Sequence, residues 1–298
     1  MGNGFFRDFF GPKEDIMIRR LVLFLRMIKF SHSVFALPFA FTAAVMASGG
    51  LPKTGKLIWI TLAMVGARSG AMAINRIVDR QIDALNPRTS KRELPAGRLG
   101  LAEVLVFAFL SFAMLVLAAW RLNPLCLELS PVAIALVIFY SYTKRFTWAS
   151  HFFLGLALSL APLGAWIAVR GQVGRAAVFL ALAVVFWLAG FDILYALQDI
   201  DFDRSHGLYS IPARFGIKKS LAASRVFHVL SVLMLGLAGA FMSMGTVYWS
   251  GLLAVSGLFV YEHSLVKEND LSRLDMAFFN MNGWISVAVL LITALSFI

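Results

Sequence analysis

The chain has 298 residues, 60% of them hydrophobic and only 14% charged, with a formal net charge of +11 and a single cysteine, Cys126. A soluble domain of this length carries about a quarter charged residues, so a large water-soluble domain is excluded, and one cysteine excludes an internal disulfide or a cysteine-built metal cluster. The positive residues flank apolar runs instead of forming a compact basic domain, which argues for membrane orientation and an anionic lipid or substrate, and against nucleic acid.

Residues 1–30 lack the pattern of a cleavable signal and interleave apolar residues with Arg19, Arg20, Arg26 and Lys29, as in an amphipathic helix lying on a membrane surface. Nine apolar spans follow, at about Ser31–Ser48, Lys56–Asp79, Ala102–Trp120, Pro124–Tyr142, Ser150–Val169, Ala176–Gln198, Leu221–Met242, Thr246–Leu265 and Ala277–Ile298. The expected fold is all-α: a polytopic membrane helix bundle of nine transmembrane helices, one domain over 1–298. Its two acidic-motif halves, 31–142 and 150–298, surround a central cavity. With nine spans, 20 of the 27 Lys and Arg residues fall in segments on one side and 5 on the other. That bias places the N-terminus at the cytoplasmic face.

The second span ends in Asn75-Arg-Ile-Val-Asp79-Arg-Gln-Ile-Asp83, where spacing by four puts Asn75, Asp79 and Asp83 on one helical face. The sixth span ends in a second stripe, Asp192, Tyr195, Asp199 and Asp203, beginning 117 residues later and also read as one helical face. Asp201 points elsewhere. Both stripes fall at the cytoplasmic side, and their repetition resembles a weak internal duplication. Each stripe alone is also compatible with a solvated helix end. Two facing carboxylate helices instead make a hard, oxygen-rich site that suits Mg²⁺ held jointly with substrate phosphates.

The loops after the stripes supply cations. Asn86-Pro87-Arg88-Thr89-Ser90-Lys91-Arg92-Glu93-Leu94-Pro95-Ala96-Gly97-Arg98 follows the first, and a segment opening with Arg204 follows the second. Arginine and lysine beside a metal site are what a diphosphate requires, although positive-inside placement also explains such residues. Tyr140, Lys144 and Arg145, at the end of the fourth span on the same side, add a phenol and two cations.

These stretches together resemble the UbiA superfamily of intramembrane prenyltransferases. The pattern N-x-x-x-D-x-x-x-D matches at Asn75, Asp79 and Asp83, and N-P-R-T-x-x-R-x-L-P-x-G from Asn86 to Gly97. D-x-x-Y-x-x-x-D-x-x-x-D matches at Asp192, Tyr195, Asp199 and Asp203, and Y-x-x-x-K-R at Tyr140, Lys144 and Arg145. Arg76 departs from the pattern, since many members carry Asp there.

The resemblance implies Mg²⁺-dependent transfer of a polyprenyl group from its diphosphate to an aromatic acid in a prokaryotic cytoplasmic membrane. 4-Hydroxybenzoate is the expected acceptor, in respiratory quinone biosynthesis, and 1,4-dihydroxy-6-naphthoate in menaquinone synthesis is the alternative. Membrane lipid is the surrounding partner. The expected metal ligands are Asn75, Asp79, Asp83, Asp199 and Asp203, with Asp79, Asp199 and Asp192 catalytic, Asp192 polarising the phenol or taking the ring proton. Arg80, Arg88, Arg92, Tyr140, Lys144, Arg145 and Arg204 are expected at the diphosphate. Arg76, Lys29, His32 and Tyr195 are expected at the acceptor. His151, His228 and His263 read as isolated and structural, and His206 as solvated. The rival from another class is a secondary transporter of organic anions, which also suits duplicated halves and membrane carboxylates.

Overall fold

The computed structural model describes residues 12–29, 37–274 and 276–298, and every regular element among them is helical. The helices are α1 (Pro12–Met27), α2 (Leu37–Ser48), α3 (Thr54–Leu85), α4 (Leu101–Leu122), α5 (Pro124–Thr143), α6 (Ser150–Arg170), α7 (Arg175–Ala196), α8 (Ile200–Ser205), α9 (Ile211–Phe241), α10 (Thr246–Ser264) and α11 (Asn282–Leu295). Six segments are long and apolar enough to cross a membrane: α3, α4, α5, α6, α9 and the run Arg175–Ser205 that includes α7 and α8. The apolar helices α2 and α11 are shorter, and residues 31–36 of the first expected span lie outside the described residues. The last expected span opens with a π-helical turn at Met276–Met281 before α11 begins.

Small residues set the packing. In a bilayer, helix association depends on close approach, because lipid tails are as apolar as the side chains. A Cβ at Gly66 of α3 would stand 2.6 Å from the Ser111 carbonyl oxygen of α4. A Cβ at Gly155 of α6 would stand 2.6 Å from the Val185 oxygen of α7. Alanine-rich α7 is enclosed by α6 and α9 and buries most of its surface. By contrast α4 turns Leu105, Val106, Phe109, Leu110 and Leu117 outward, the composition of a lipid-facing wall. α11 closes back onto α2.

The helix α3 runs 32 residues, about 48 Å at the α-helical rise, and so carries Asn75, Asp79 and Asp83 on one unbroken helix. The second stripe departs from expectation. A 3₁₀ turn at Leu197–Asp199 separates α7 from α8, so Asp192 and Tyr195 sit on one helix, Asp199 on the turn and Asp203 on the next helix. Asp199 leaves helical geometry, at φ −110° and ψ 10°, and interrupts the regular helix that the spacing suggested.

At the far end of the bundle from the stripes, the α6 C-terminus is capped by side chains. Lys56 Nζ donates to the Ala168 and Val169 carbonyls, each at 3.0 Å, and Asn123 Nδ2 donates to Ile167 at 2.8 Å. These bonds satisfy carbonyls that a helix end otherwise leaves orphaned. At the near end, α1 docks through Phe24, stacked on Phe107 at 4.8 Å, and through buried Met27 and Ile28, which pack with Leu94 and Leu99 of the loop after the first stripe.

Candidate active site

Residues of both stripes face one cavity of about 640 Å³, lined by α3, α4, α5, α6 and α7 and the loops after the stripes. Asn75, Asp79, Asp83, Asp192, Tyr195, Asp199 and Asp203 all contribute to its wall. The helical period explains the α3 residues, since positions four apart stack on one side. The 3₁₀ turn keeps the α7–α8 residues on the same wall despite the break.

Each carboxylate is met by a donor, most often a cation. Asp79 is buried and accepts from Lys144 Nζ at 2.6 Å, Arg145 Nη2 at 3.1 Å and Asn75 Nδ2 at 3.2 Å. Asp83 is buried and takes both its oxygens to Arg92 Nη1, at 2.8 and 2.7 Å. Arg88 reaches across from the loop after α3: its Nε donates to Asp199 Oδ1 at 3.0 Å, Nη2 donates to Asp199 Oδ2, and Nη1 donates to the Tyr195 hydroxyl at 2.6 Å. Its guanidinium also lies over the Tyr195 ring, 5.0 Å from the centroid. Partial burial disfavours the Arg88 cation, but the bonds and charges of Asp199 and Tyr195 outweigh it and raise its pKa above the ordinary value. Asn86 Nδ2 adds a bond to Asp199 at 3.1 Å. Asp203 accepts from Ser210 Oγ at 2.9 Å, while Ser210 also caps α9 by accepting from Ala213 N. Such pairing is what makes ionised carboxylates tolerable at bilayer depth.

Not every expected residue joins this group. Arg80 is exposed and is absent from the cavity wall, because one residue after Asp79 the helix has turned about 100°. Arg204 is likewise exposed and spends its Nε on the Ala213 carbonyl at 2.9 Å. Arg145 stands behind Asp79 and also binds the Val78 carbonyl at 2.8 Å. Tyr140, Lys144, Arg76 and Lys29 do line the cavity. Arg76 is buried, with Nε on the Met27 carbonyl at 3.3 Å and Nη1 3.9 Å from Asp83. His32 lies outside the described residues.

Two residues of the cavity wall, Arg68 and His151, were passed over or misjudged from sequence. Arg68 lies seven residues before Asn75, on the same face of α3 and about 10 Å further along the helix. It lines the cavity, and its buried Nε has no hydrogen-bond partner among the described residues. A cation inside an apolar span was itself the signal, since such residues mark ligand paths. His151 is not isolated: it lines the cavity and bonds Asp192 at 2.6 Å. Nor are His228 and His263, which bond each other at 2.9 Å away from the cavity. His206 is exposed, as expected.

The donor set suits a hard divalent cation, being entirely carboxylate and carboxamide oxygen from two facing segments. Among the described residues no three Asp, Glu, His or Cys side chains converge on one point. Mg²⁺, which binds through one or two carboxylates plus substrate phosphates, fits such a spread set, whereas an all-protein cage does not.

A family model for the UbiA prenyltransferase family matches residues 36–285. The chain belongs to that family. The 4-hydroxybenzoate octaprenyltransferase from Aliivibrio fischeri is 34% identical over 255 residues, 83% of this chain and 87% of that protein. The protein of the same name from Cupriavidus necator is 32% identical over 289 residues, 94% of this chain and 99% of its own length. The apo structure of a UbiA homolog from Aeropyrum pernix superposes with a TM-score of 0.79 at 31% identity, covering 87% of this chain and 95% of that one. A UbiA homolog from Archaeoglobus fulgidus bound to GPP and Mg²⁺ shares the fold, at 20% identity and a TM-score of 0.69 over 91% of this chain and 99% of the other. This UbiA family member is therefore an integral membrane enzyme and a prenyltransferase, which sets the transporter reading aside.

Proposed function

We propose that the enzyme transfers a polyprenyl group from its diphosphate to the ring of 4-hydroxybenzoate, in respiratory quinone biosynthesis. The observation that carries this reading is the convergence of both acidic stripes, the paired cations Arg88, Arg92 and Lys144 and Arg68, whose buried Nε is unpartnered among the described residues, on one largely apolar cavity. The names of the relatives support the acceptor. In this reading α2, α10 and α11 complete nine spans of a single domain, α1 lies in the interface, and the cavity is central and opens to the cytoplasm of a prokaryotic cell. The positive-inside bias supports that orientation.

Asn75, Asp79 and Asp83 on α3, with Asp199 and Asp203 across the cavity, would hold Mg²⁺ against the diphosphate, where it supplies Lewis-acid stabilisation of the leaving group. Arg88, Arg92 and Lys144 neutralise the diphosphate charge that develops as its C–O bond breaks, the kind of fixed charge that stabilises a transition state most. Arg145 holds Asp79 from behind, and Tyr140 lines the same cavity. The apolar walls of α5, α6 and α7 exclude water from the allylic cation and receive the prenyl tail.

The acceptor ring has to reach the first prenyl carbon, below the diphosphate. Arg76, committed to Met27 and Asp83, stays with the stripe, and Lys29 and Tyr195 border the acceptor. Arg68, deeper and with an N–H unspent, takes the acceptor carboxylate. Asp192 accepts the acceptor hydroxyl, so the ring carbon ortho to it presents to the cation.

Membranes containing the protein, given Mg²⁺, a polyprenyl diphosphate and radiolabelled 4-hydroxybenzoate, should yield a labelled lipid. No Mg²⁺-dependent lipid product from any hydroxylated aromatic acid would sink the reading.

A further inference from the structure

His151 stands near the start of α6, among apolar neighbours and almost fully buried, yet both its ring nitrogens are engaged. Nε2 lies 3.2 Å from the backbone nitrogen of Ile211. A backbone N–H can only donate, so Nε2 must present its lone pair, and the proton of the neutral ring resides on Nδ1. Nδ1 therefore donates to Asp192 Oδ2, at 2.6 Å. One contact sets the tautomer and the other uses it.

The consequence falls on Asp192. Its Oδ2 is spoken for, its Oδ1 has no hydrogen-bond partner among the described residues, and its side chain, 24% exposed, lines the cavity. Ile211, which fixes the imidazole, is the first residue of α9, immediately after the Ser210 that binds Asp203. The histidine thus ties the Asp192 carboxylate to the same turn that sets the end of the second stripe.

We propose that His151 is a positioning residue, resting on the prenyl-transfer reading: it fixes the Asp192 carboxylate so that Oδ1 meets the acceptor's hydroxyl. As the C–O bond to the diphosphate breaks, attack of the ring on the allylic carbon makes that hydroxyl more acidic; the attacked ring carbon then gives up its proton to the released diphosphate. The hydroxyl's hydrogen bond to a fixed carboxylate therefore strengthens as the C–C bond forms, which is the differential stabilisation that raises kcat. A carboxylate without its imidazole would turn about its own side-chain bonds and lose that alignment.

The test uses the full chain in lipid nanodiscs, assayed with polyprenyl diphosphate, Mg²⁺ and 4-hydroxybenzoate. H151F should lower kcat about 100-fold, the cost of misplacing a reacting group by about an ångström, while leaving KM for the polyprenyl diphosphate essentially unchanged. H151N, whose amide nitrogen occupies the place of Nδ1, should return to within about tenfold of the wild type, since it restores one charge-assisted bond. In a D192N background, H151F should cost little more, because the histidine acts through that carboxylate. Unchanged kcat in H151F, equal losses in H151F and H151N, or multiplying losses in the double variant would each overturn the proposal. If H151F does not insert, H151A replaces it in both the single and the double comparison, with the same expected and overturning outcomes. A wild-type protein that makes no product fails the prenyl-transfer reading instead.

Discussion

The two acidic stripes look alike in sequence and differ in construction. Asp79 and Asp83 sit on one rigid helix, are buried, and are saturated by Lys144, Arg145 and Arg92. Asp192, Asp199 and Asp203 straddle a 3₁₀ turn, are more open to the cavity, and are held by groups from three other places: His151 on α6, Arg88 and Asn86 in the loop after α3, and Ser210 before α9. The first stripe is a fixed wall. The second is an assembled one, its residues divided between α7, the 3₁₀ turn and α8.

The comparison can be broken most severely at the carboxylates themselves. D79A and D199A should each lower turnover by at least about 100–1000-fold, and chelation of divalent cations should silence the wild type until Mg²⁺ is restored. Labelled-acceptor assays on membranes with matched protein content check this; near-normal rates in either variant would refute a metal role for that stripe. R88L, which severs the bridge between the first loop and the second stripe, should cost about 100-fold. R88K should recover little, because a lysine cannot reproduce the forked contact with Asp199 and Tyr195.

A smaller effect is expected deeper in the cavity. R68M should raise KM for 4-hydroxybenzoate about 10–100-fold, the worth of a bond to a charged group, while KM for the polyprenyl diphosphate holds. Parallel acceptor titrations decide it, and equal effects on both substrates would remove Arg68 from the acceptor's side. The smallest effects belong to the cations that the fold turns away. R80A and R204A should stay within about twofold of wild-type rates, as for exposed charges in general; a large loss in either would place it at the diphosphate after all.

Much of this arrangement was legible in the sequence, because helical period and charge are local signals. Spacing by four put Asn75, Asp79 and Asp83 on one face, where the structure has them lining one cavity. Arg80 and Arg204 could not be sorted from Arg88 and Arg92 by position alone, since which way a long side chain reaches depends on the loop's path. The turn at Leu197–Asp199 was hidden because the 3-4-4 spacing of the stripe is compatible with an unbroken helix. His151 was misread for a different reason: its partner is 41 residues away, and a lone histidine on an apolar helix gives no hint of a carboxylate across the interface. Arg68 was visible as a charge inside a span, but only the cavity beside it and an N–H left over make it a candidate binding group.

The side-chain caps on the α6 C-terminus bear on how the enzyme can move. Lys56 at the start of α3 and Asn123 between α4 and α5 tie α3 and the α4–α5 junction to the end of α6, remote from the acids. Long rods clamped at one end do not slide past each other, and a displacement at the other end must be absorbed where the chain is not a rod. The places available are the loop of residues 86–99, the break at 197–199 and Gly216, where a φ of +79° interrupts α9. Any change of shape on substrate loading is therefore expected at these breaks and not at the capped end.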